Sequence, residues 1–137
     1  MPVDKPKTLI GSDESYVTQS VKVLLAGSFE VTERTSFAEV VREASTGDFD
    51  MVIVCGHCLA PPVLCSGGLL ENTVATIAAI KLARPVPIIS SASTPEWRKP
   101  LLAAGADAHL KTPFHAAEFR DAVSHCLSVG GRRGQST

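Results

Sequence analysis

The sequence predicts a doubly wound α/β domain of three layers, with a five-stranded parallel sheet in the middle. Short apolar runs alternate along the chain with longer segments of helical period, which is the pattern of successive βα units. The run from Met51 to Val54 is apolar throughout, as expected of a central strand that helices cover on both faces. The 137 residues fit one domain, and the apolar fraction of 45% is large enough to form its core.

Each predicted strand is followed by a predicted helix. We expect strands at residues 8–10, 29–32, 51–54, 86–89 and 108–110. Ser12 or Asp13 caps the first helix, and the later helices are expected between Ser36 and Gly47 and at residues 71–83, 95–104 and 115–127. Pro100 is expected to disturb the fourth helix. The domain is therefore expected at residues 8–128, free-standing, with residues 1–7 and 129–137 as flexible termini.

Charge and hydropathy argue against nucleic-acid binding and membrane insertion. The formal net charge is −1, and the basic residues are scattered apart from one pair, Arg132 and Arg133. The first residues of the chain lack the apolar stretch of a secretory signal. The most apolar segment, residues 74–83, contains Lys81 and is too short to span a bilayer. We expect a cytoplasmic protein with no nucleic-acid or membrane partner.

One segment near the C-terminus is specific enough to suggest a family. Residues 104–114, AGADAHLKTPF, resemble the AGADDYLxKPF segment of bacterial response-regulator receiver domains. Residues 86–89 are similar to the PVI strand of that family, and residues 48–54 to the lead into its phosphorylation site. The resemblance implies a CheY-like, flavodoxin-like α/β/α fold. It also implies a signalling domain of a two-component phosphorelay rather than an enzyme.

The resemblance also implies a site at the carboxyl ends of the strands, where such folds bind ligands. A receiver carries an acidic pair, an acceptor aspartate, a hydroxyl residue and a lysine there. The matching positions in this chain are Ser12 and Asp13 for the acidic pair, Cys55 for the acceptor, Ser91 or Ala92 for the hydroxyl, and Thr112 for the lysine, with Lys111 displaced by one.

These replacements predict a receiver that is not phosphorylated. A thiolate is a soft ligand that suits Mg²⁺ poorly, and the acidic pair has lost one carboxylate. Asp50 begins the same strand that Cys55 follows, and five strand residues separate the two by roughly 16 Å. Asp50 is thus expected at the wrong edge of the sheet to serve as acceptor. We expect no bound cofactor or metal at this pocket.

The cysteines near this position allow other interpretations. Cys55-Gly56-His57-Cys58 matches the active-site motif of disulfide-isomerase-like oxidoreductases, but Pro61 and Pro62 oppose the helix that such a motif needs. Cys55, Cys58 and Cys65, with His57, are alternatively a zinc or iron–sulfur ligand set, although only one cysteine pair is present. The third interpretation is that Cys55 fills a half-buried strand end as a small apolar side chain. A redox- or metal-sensing module therefore stays the alternative to a signalling receiver.

Receivers contact partners through their fourth helix, fifth strand and fifth helix, and this chain carries three candidate contact residues there. Trp97 is a candidate interface anchor. His109 matches the switch aromatic of receivers, although a histidine at the solvent edge is the favoured interpretation. Phe114 completes the set. We expect this face, residues 95–127, to bind a signalling kinase or an effector protein, or a second copy of the chain.

Overall fold

The computed structural model describes residues 6–11, 15–25, 27–34, 36–55, 69–92, 95–111 and 114–135. Within these residues, strands and helices alternate along the chain. Their bounds are β1 Lys7–Gly11, α1 Ser15–Leu25, β2 Glu30–Arg34, α2 Phe37–Thr46, β3 Met51–Cys55, α3 Leu69–Ala83, β4 Ile88–Ala92, a 3₁₀ turn Pro95–Trp97, α4 Arg98–Ala104, β5 Ala108–Lys111 and α5 Ala116–Gln135.

The strands form one parallel sheet in the order β2-β1-β3-β4-β5. The predicted fold class is confirmed. The order reverses between β1 and β3, and in doubly wound sheets ligands bind outside the carboxyl ends of the strands at such a switch point. Every residue of β3 and β4 is buried, which accounts for the uninterrupted apolar run of β3. Among the helices of the described residues, none is long and apolar enough to cross a bilayer.

Two apolar clusters hold the helices on the sheet. One cluster, here called the α3-side cluster, joins Leu9, Val52, Val54 and Ile88 of the sheet to Val40, Ile77, Ile80 and Leu101 of α2, α3 and α4. The other, the α5-side cluster, joins Ile10, Ile53, Cys55, Ile89 and Leu110 of the sheet to Val21, Leu25, Phe119 and Cys126 of α1 and α5. Side chains of a strand alternate between the two, as the period of 2 requires.

Hydrogen bonds of Asp107 stabilise the segment between α4 and β5. The Asp107 carboxylate accepts hydrogen bonds from Lys81 Nζ of α3 and from the backbone N–H of Ile88 in β4, both at 2.8 Å. The Asp107 N–H donates in turn to the Ile88 carbonyl at 2.7 Å. Gly105 turns the chain with φ of 129°, and a Cβ there would lie 2.8 Å from Lys81 Cγ. The conformation and the close approach both require glycine.

Three expectations about these elements are wrong. β4 runs from Ile88 to Ala92 rather than over residues 86–89, since Pro87 has no N–H for a ladder and the serines that follow are buried within the sheet. Pro100 does not break α4, because it lies in the first turn, where a helix needs no N–H donor. α5 continues past residue 127 to Gln135.

Candidate functional site

The candidate site lies at the carboxyl ends of β3 and β4, where Cys55 and Ser91 are neighbours. The two residues are in register in the parallel β3–β4 pair, so their side chains point to the same face of the sheet. They are 2% and 3% exposed. Cys55 belongs to the α5-side cluster, so it is a fully buried residue rather than the half-buried one that the sequence predicts.

The register also separates the two hydroxyl-position candidates. Ser91 continues from Cys55 to Leu110 of β5 along one row of the α5-side face. Ala92 points to the opposite face, where it is in register with Lys111. Lys111 is exposed and lies away from Cys55, as the strand alternation predicts. The described part of the pocket therefore brings together a thiol and one hydroxyl.

Asp50 lies at the other end of the sheet, as predicted. Its carboxylate accepts a hydrogen bond from the backbone N–H of Lys7 at 2.8 Å, and its own N–H donates to the Lys7 carbonyl at 2.8 Å. Lys7 begins β1, so these bonds place Asp50 at the amino ends of the strands. This carboxylate fixes the entry into β3 and is remote from Cys55.

Several candidate residues lie outside the described part of the chain: Ser12, Asp13, His57, Cys58, Cys65 and Thr112. The redox and metal interpretations of residues 56–65 stay predictions. In the ranges that the structure describes, no three histidine, cysteine or acidic residues are grouped as a metal site. The described side chains at the ends of β3, β4 and β5 are the thiol of Cys55, the hydroxyl of Ser91, the methyl group of Ala92 and the ammonium of Lys111. This set does not fit Mg²⁺, which binds oxygen ligands with carboxylates among them.

His109 is only partly buried, as expected of a histidine near the solvent edge, but its ring also contacts the neighbouring strand. It is in register with Ser90 of β4, and its Nδ1 lies 2.7 Å from Ser90 Oγ. Its Nε2 is buried and has no hydrogen-bond partner among the described residues. Burial lowers the pKa of His109, and the positive charge of Arg98 in α4 lowers it further. Ser90 is a contact residue that the sequence analysis did not identify. The signal for it was strand alternation, which places Ser90 on the same face of β4 as Ala92.

The two aromatic candidates of the partner face are both partly buried. Trp97 ends the 3₁₀ turn before α4 and packs against the α3-side cluster. Phe114 packs against the α5-side cluster and stacks on Phe119, with ring centroids 5.6 Å apart and an interplanar angle of 15°. The two rings therefore flank β5 from opposite faces of the sheet, each with part of its surface exposed.

Cys126 is excluded as a reactive thiol. It is 0% exposed in α5, and burial raises its pKa to about 12, with the Asp107 carboxylate adding to the rise and Lys81 opposing it. Because the thiolate is the nucleophile and the metal ligand, this cysteine stays protonated and unreactive at neutral pH.

Comparison with known proteins bears on the fold. No protein-family model matches the sequence, and no curated protein matches it either. Solved structures do match. The receiver domain of the sensor histidine kinase PA1611 from Pseudomonas aeruginosa PAO1, solved with magnesium in its active-site cleft, superposes with a TM-score of 0.74 at 21% identity, over 90% of this chain and 98% of that one. This chain has the fold of a response-regulator receiver domain.

Other receiver domains superpose equally well. A CheY-like receiver from Methanospirillum hungatei JF-1 gives a TM-score of 0.76 at 17% identity, over 95% of this chain and 99% of that one. The receiver of a modulated diguanylate cyclase from Desulfovibrio desulfuricans G20 gives 0.74 at 19% identity, over 95% and 99% of the two chains. The resemblance that the segment AGADAHLKTPF suggests is confirmed for the fold.

Proposed function

We propose that this receiver-fold chain acts in signal transduction by binding a protein partner, without phosphorylation of an aspartate and without catalysing a reaction. The observation that carries the proposal is Cys55. It ends β3 beside Ser91, where the resemblance implies the acceptor aspartate, and it is buried in the α5-side cluster. A thiol in this position cannot form an aspartyl phosphate. A receiver fold that lacks the acceptor aspartate still presents the surfaces through which receivers bind their protein partners.

The proposed contact surface is the α4–β5–α5 face. Trp97 and Phe114 are partly buried aromatic residues on the two sides of β5, and such rings supply large rigid contact areas at protein interfaces. The proposed occupant is a signalling kinase or an effector protein; a second copy of the chain is the alternative. The near-neutral charge of the chain supports a protein partner rather than a nucleic acid.

Replacing Trp97 with alanine is expected to weaken partner binding about thirtyfold or more, as truncation of a central aromatic anchor does at protein interfaces (about 2 kcal/mol or more). Binding is measured by biolayer interferometry against the histidine kinases of the organism that encodes the chain, and self-association by sedimentation. Because Trp97 also packs on the core, Trp97→Phe is the control that retains packing. Val23→Ala is the matched control on α1, where Val23 is 71% exposed.

The three variants separate the outcomes. Loss of binding in Trp97→Ala, with Val23→Ala unchanged and Trp97→Phe intermediate, supports the α4–β5–α5 face. Equal affinity for the wild-type chain and Trp97→Ala, or loss in Val23→Ala alone, contradicts the proposed surface.

A further inference from the structure

His109 and Ser90 form a polar pair in an apolar layer. They lie on neighbouring strands and face the side of the sheet on which α4 packs. Besides the 2.7 Å contact with Nδ1, Ser90 Oγ lies 3.5 Å from the Ala108 carbonyl oxygen. The pair thus has one good hydrogen bond and one long one. The buried Nε2 has none within the described residues.

The number of N–H groups on the ring decides whether this arrangement holds. A neutral imidazole carries one N–H, and the Ser90 hydroxyl either donates to Nδ1 or accepts from it. A protonated ring carries two. Ser90 Oγ then accepts from Nδ1–H, and Nε2–H is left buried without an acceptor among the described residues. An unsatisfied buried donor on a charged group is strongly unfavourable.

The surrounding charges act in the same direction. Arg98 of α4 is the cation whose field reaches the ring. From β4 the ring faces the uncharged Ser90. On β5 itself, Lys111 is a second cation on the same face. The nearest carboxylate along the chain, Asp107, is bonded to Lys81 and to the Ile88 N–H.

The remaining charges near the ring do not offset these cations. Glu96, Arg98 and Lys99 are all exposed, and of the three only Arg98 contributes to lowering the pKa of His109. α5 packs on the opposite face, against the α5-side cluster. No described group therefore compensates a positive charge on His109.

We propose that the His109–Ser90 pair is a pH-sensitive switch, which holds α4 against β5 while the ring is neutral and releases that junction when the ring is protonated. Protonation moves the ring toward solvent, because water there supplies acceptors for both N–H groups, which the described residues do not. The adjoining 3₁₀ turn, with Trp97, moves with it. The switch is a property of the chain alone; only its effect on partner binding rests on the proposed function.

Trp97 is the single tryptophan of the chain and lies next to Arg98, so its fluorescence reports on the start of α4. We expect its emission and the NMR shifts of the His109 ring to change together as the pH is lowered, with a midpoint below the ordinary histidine value of ~6.5. Far-UV circular dichroism is expected to stay constant through this transition. In Arg98→Gln the midpoint is expected to move upward, because a like charge has been removed.

His109→Phe, and His109→Gln as a second variant that does not titrate, are expected to abolish the change in Trp97 emission. The proposal is overturned if His109 titrates while Trp97 emission stays flat, or if either variant keeps the transition. It is equally overturned if the circular dichroism signal is lost at the same midpoint, since the event is then global unfolding. These readouts need no partner, so failure of the switch is distinct from failure of the proposed function.

Discussion

Cys55→Asp is expected to lower the free energy of unfolding by about 3 kcal/mol or more at neutral pH. Cys55 is 2% exposed, and its neighbours on the α5-side face include Ile53, Ile89 and the Ser91 hydroxyl. A carboxylate there loses its hydration, and a single hydroxyl does not replace it. The substitution that the family pattern suggests for restoring phosphorylation is therefore expected to damage the fold of this chain.

The pH dependence of this variant identifies the cause. Burial raises the pKa of the introduced carboxyl above its unfolded value of about 3.9. A carboxyl with a raised pKa in the folded state stabilises that state fully below the unfolded pKa and loses this contribution as pH rises through the folded value. The stability gap to the wild-type chain is therefore expected to widen from acid to neutral pH.

Urea unfolding of the wild-type chain, Cys55→Asp and Cys55→Asn at several pH values measures this gap. Asparagine has nearly the shape of aspartate without its charge. The difference in unfolding free energy between Cys55→Asn and the wild-type chain is therefore expected to change little with pH. If Cys55→Asp and Cys55→Asn are equally stable at every pH, the pocket accommodates a carboxylate and our description of it as apolar is wrong.

Asp107→Ala is expected to cost about 2–4 kcal/mol of unfolding free energy, or on the order of 10 °C in Tm. The carboxylate receives Lys81 Nζ and the Ile88 N–H, each at 2.8 Å, and its side chain is 21% exposed. Its removal leaves the N–H of the fully buried Ile88 unsatisfied and deprives Lys81 of its partner. The loss is measured by urea and thermal unfolding.

Two further substitutions control for this result. Asp107→Asn keeps an acceptor for the Ile88 N–H, so it is expected to lower the free energy of unfolding by about half as much as Asp107→Ala does. Asp48→Ala removes a carboxylate that is 93% exposed and lies 3.9 Å from Arg84, and it is expected to change stability by less than about 0.5 kcal/mol. Equal losses in Asp107→Ala and Asp48→Ala would contradict the stabilising role of Asp107.

The order of the elements could be predicted from the sequence, while the polar contacts between them could not. The apolar run of β3 and the helical periods around it are local signals, and they place Cys55 at a strand end. Ser90 and Ser91 carry the composition of a loop, yet neighbouring strands bury both. The glycines at 130 and 131 argue against a helix, but α5 continues through them.

The part of the candidate site that could be predicted is the part set by the parallel pairing of β3 and β4. The sequence predicts Cys55 after the third strand and either Ser91 or Ala92 after the fourth, and the register places Ser91 beside Cys55. The side-chain contact of His109 is with Ser90, nineteen residues away. The role of Asp107 depends likewise on Lys81, twenty-six residues away. A sequence pattern marks such residues without indicating what they contact.

We propose that this receiver-fold chain is not phosphorylated on an aspartate, and intact-mass spectrometry can detect such a phosphoryl group. The chain is incubated with acetyl phosphate and Mg²⁺ beside a receiver that has its acceptor aspartate. We expect the control receiver to gain one acid-labile phosphoryl group, and the mass of this chain to stay unchanged both as wild type and as Cys55→Ala. An acid-labile phosphoryl group on the wild-type chain would contradict the account, and its persistence in Cys55→Ala would show that another residue accepts it.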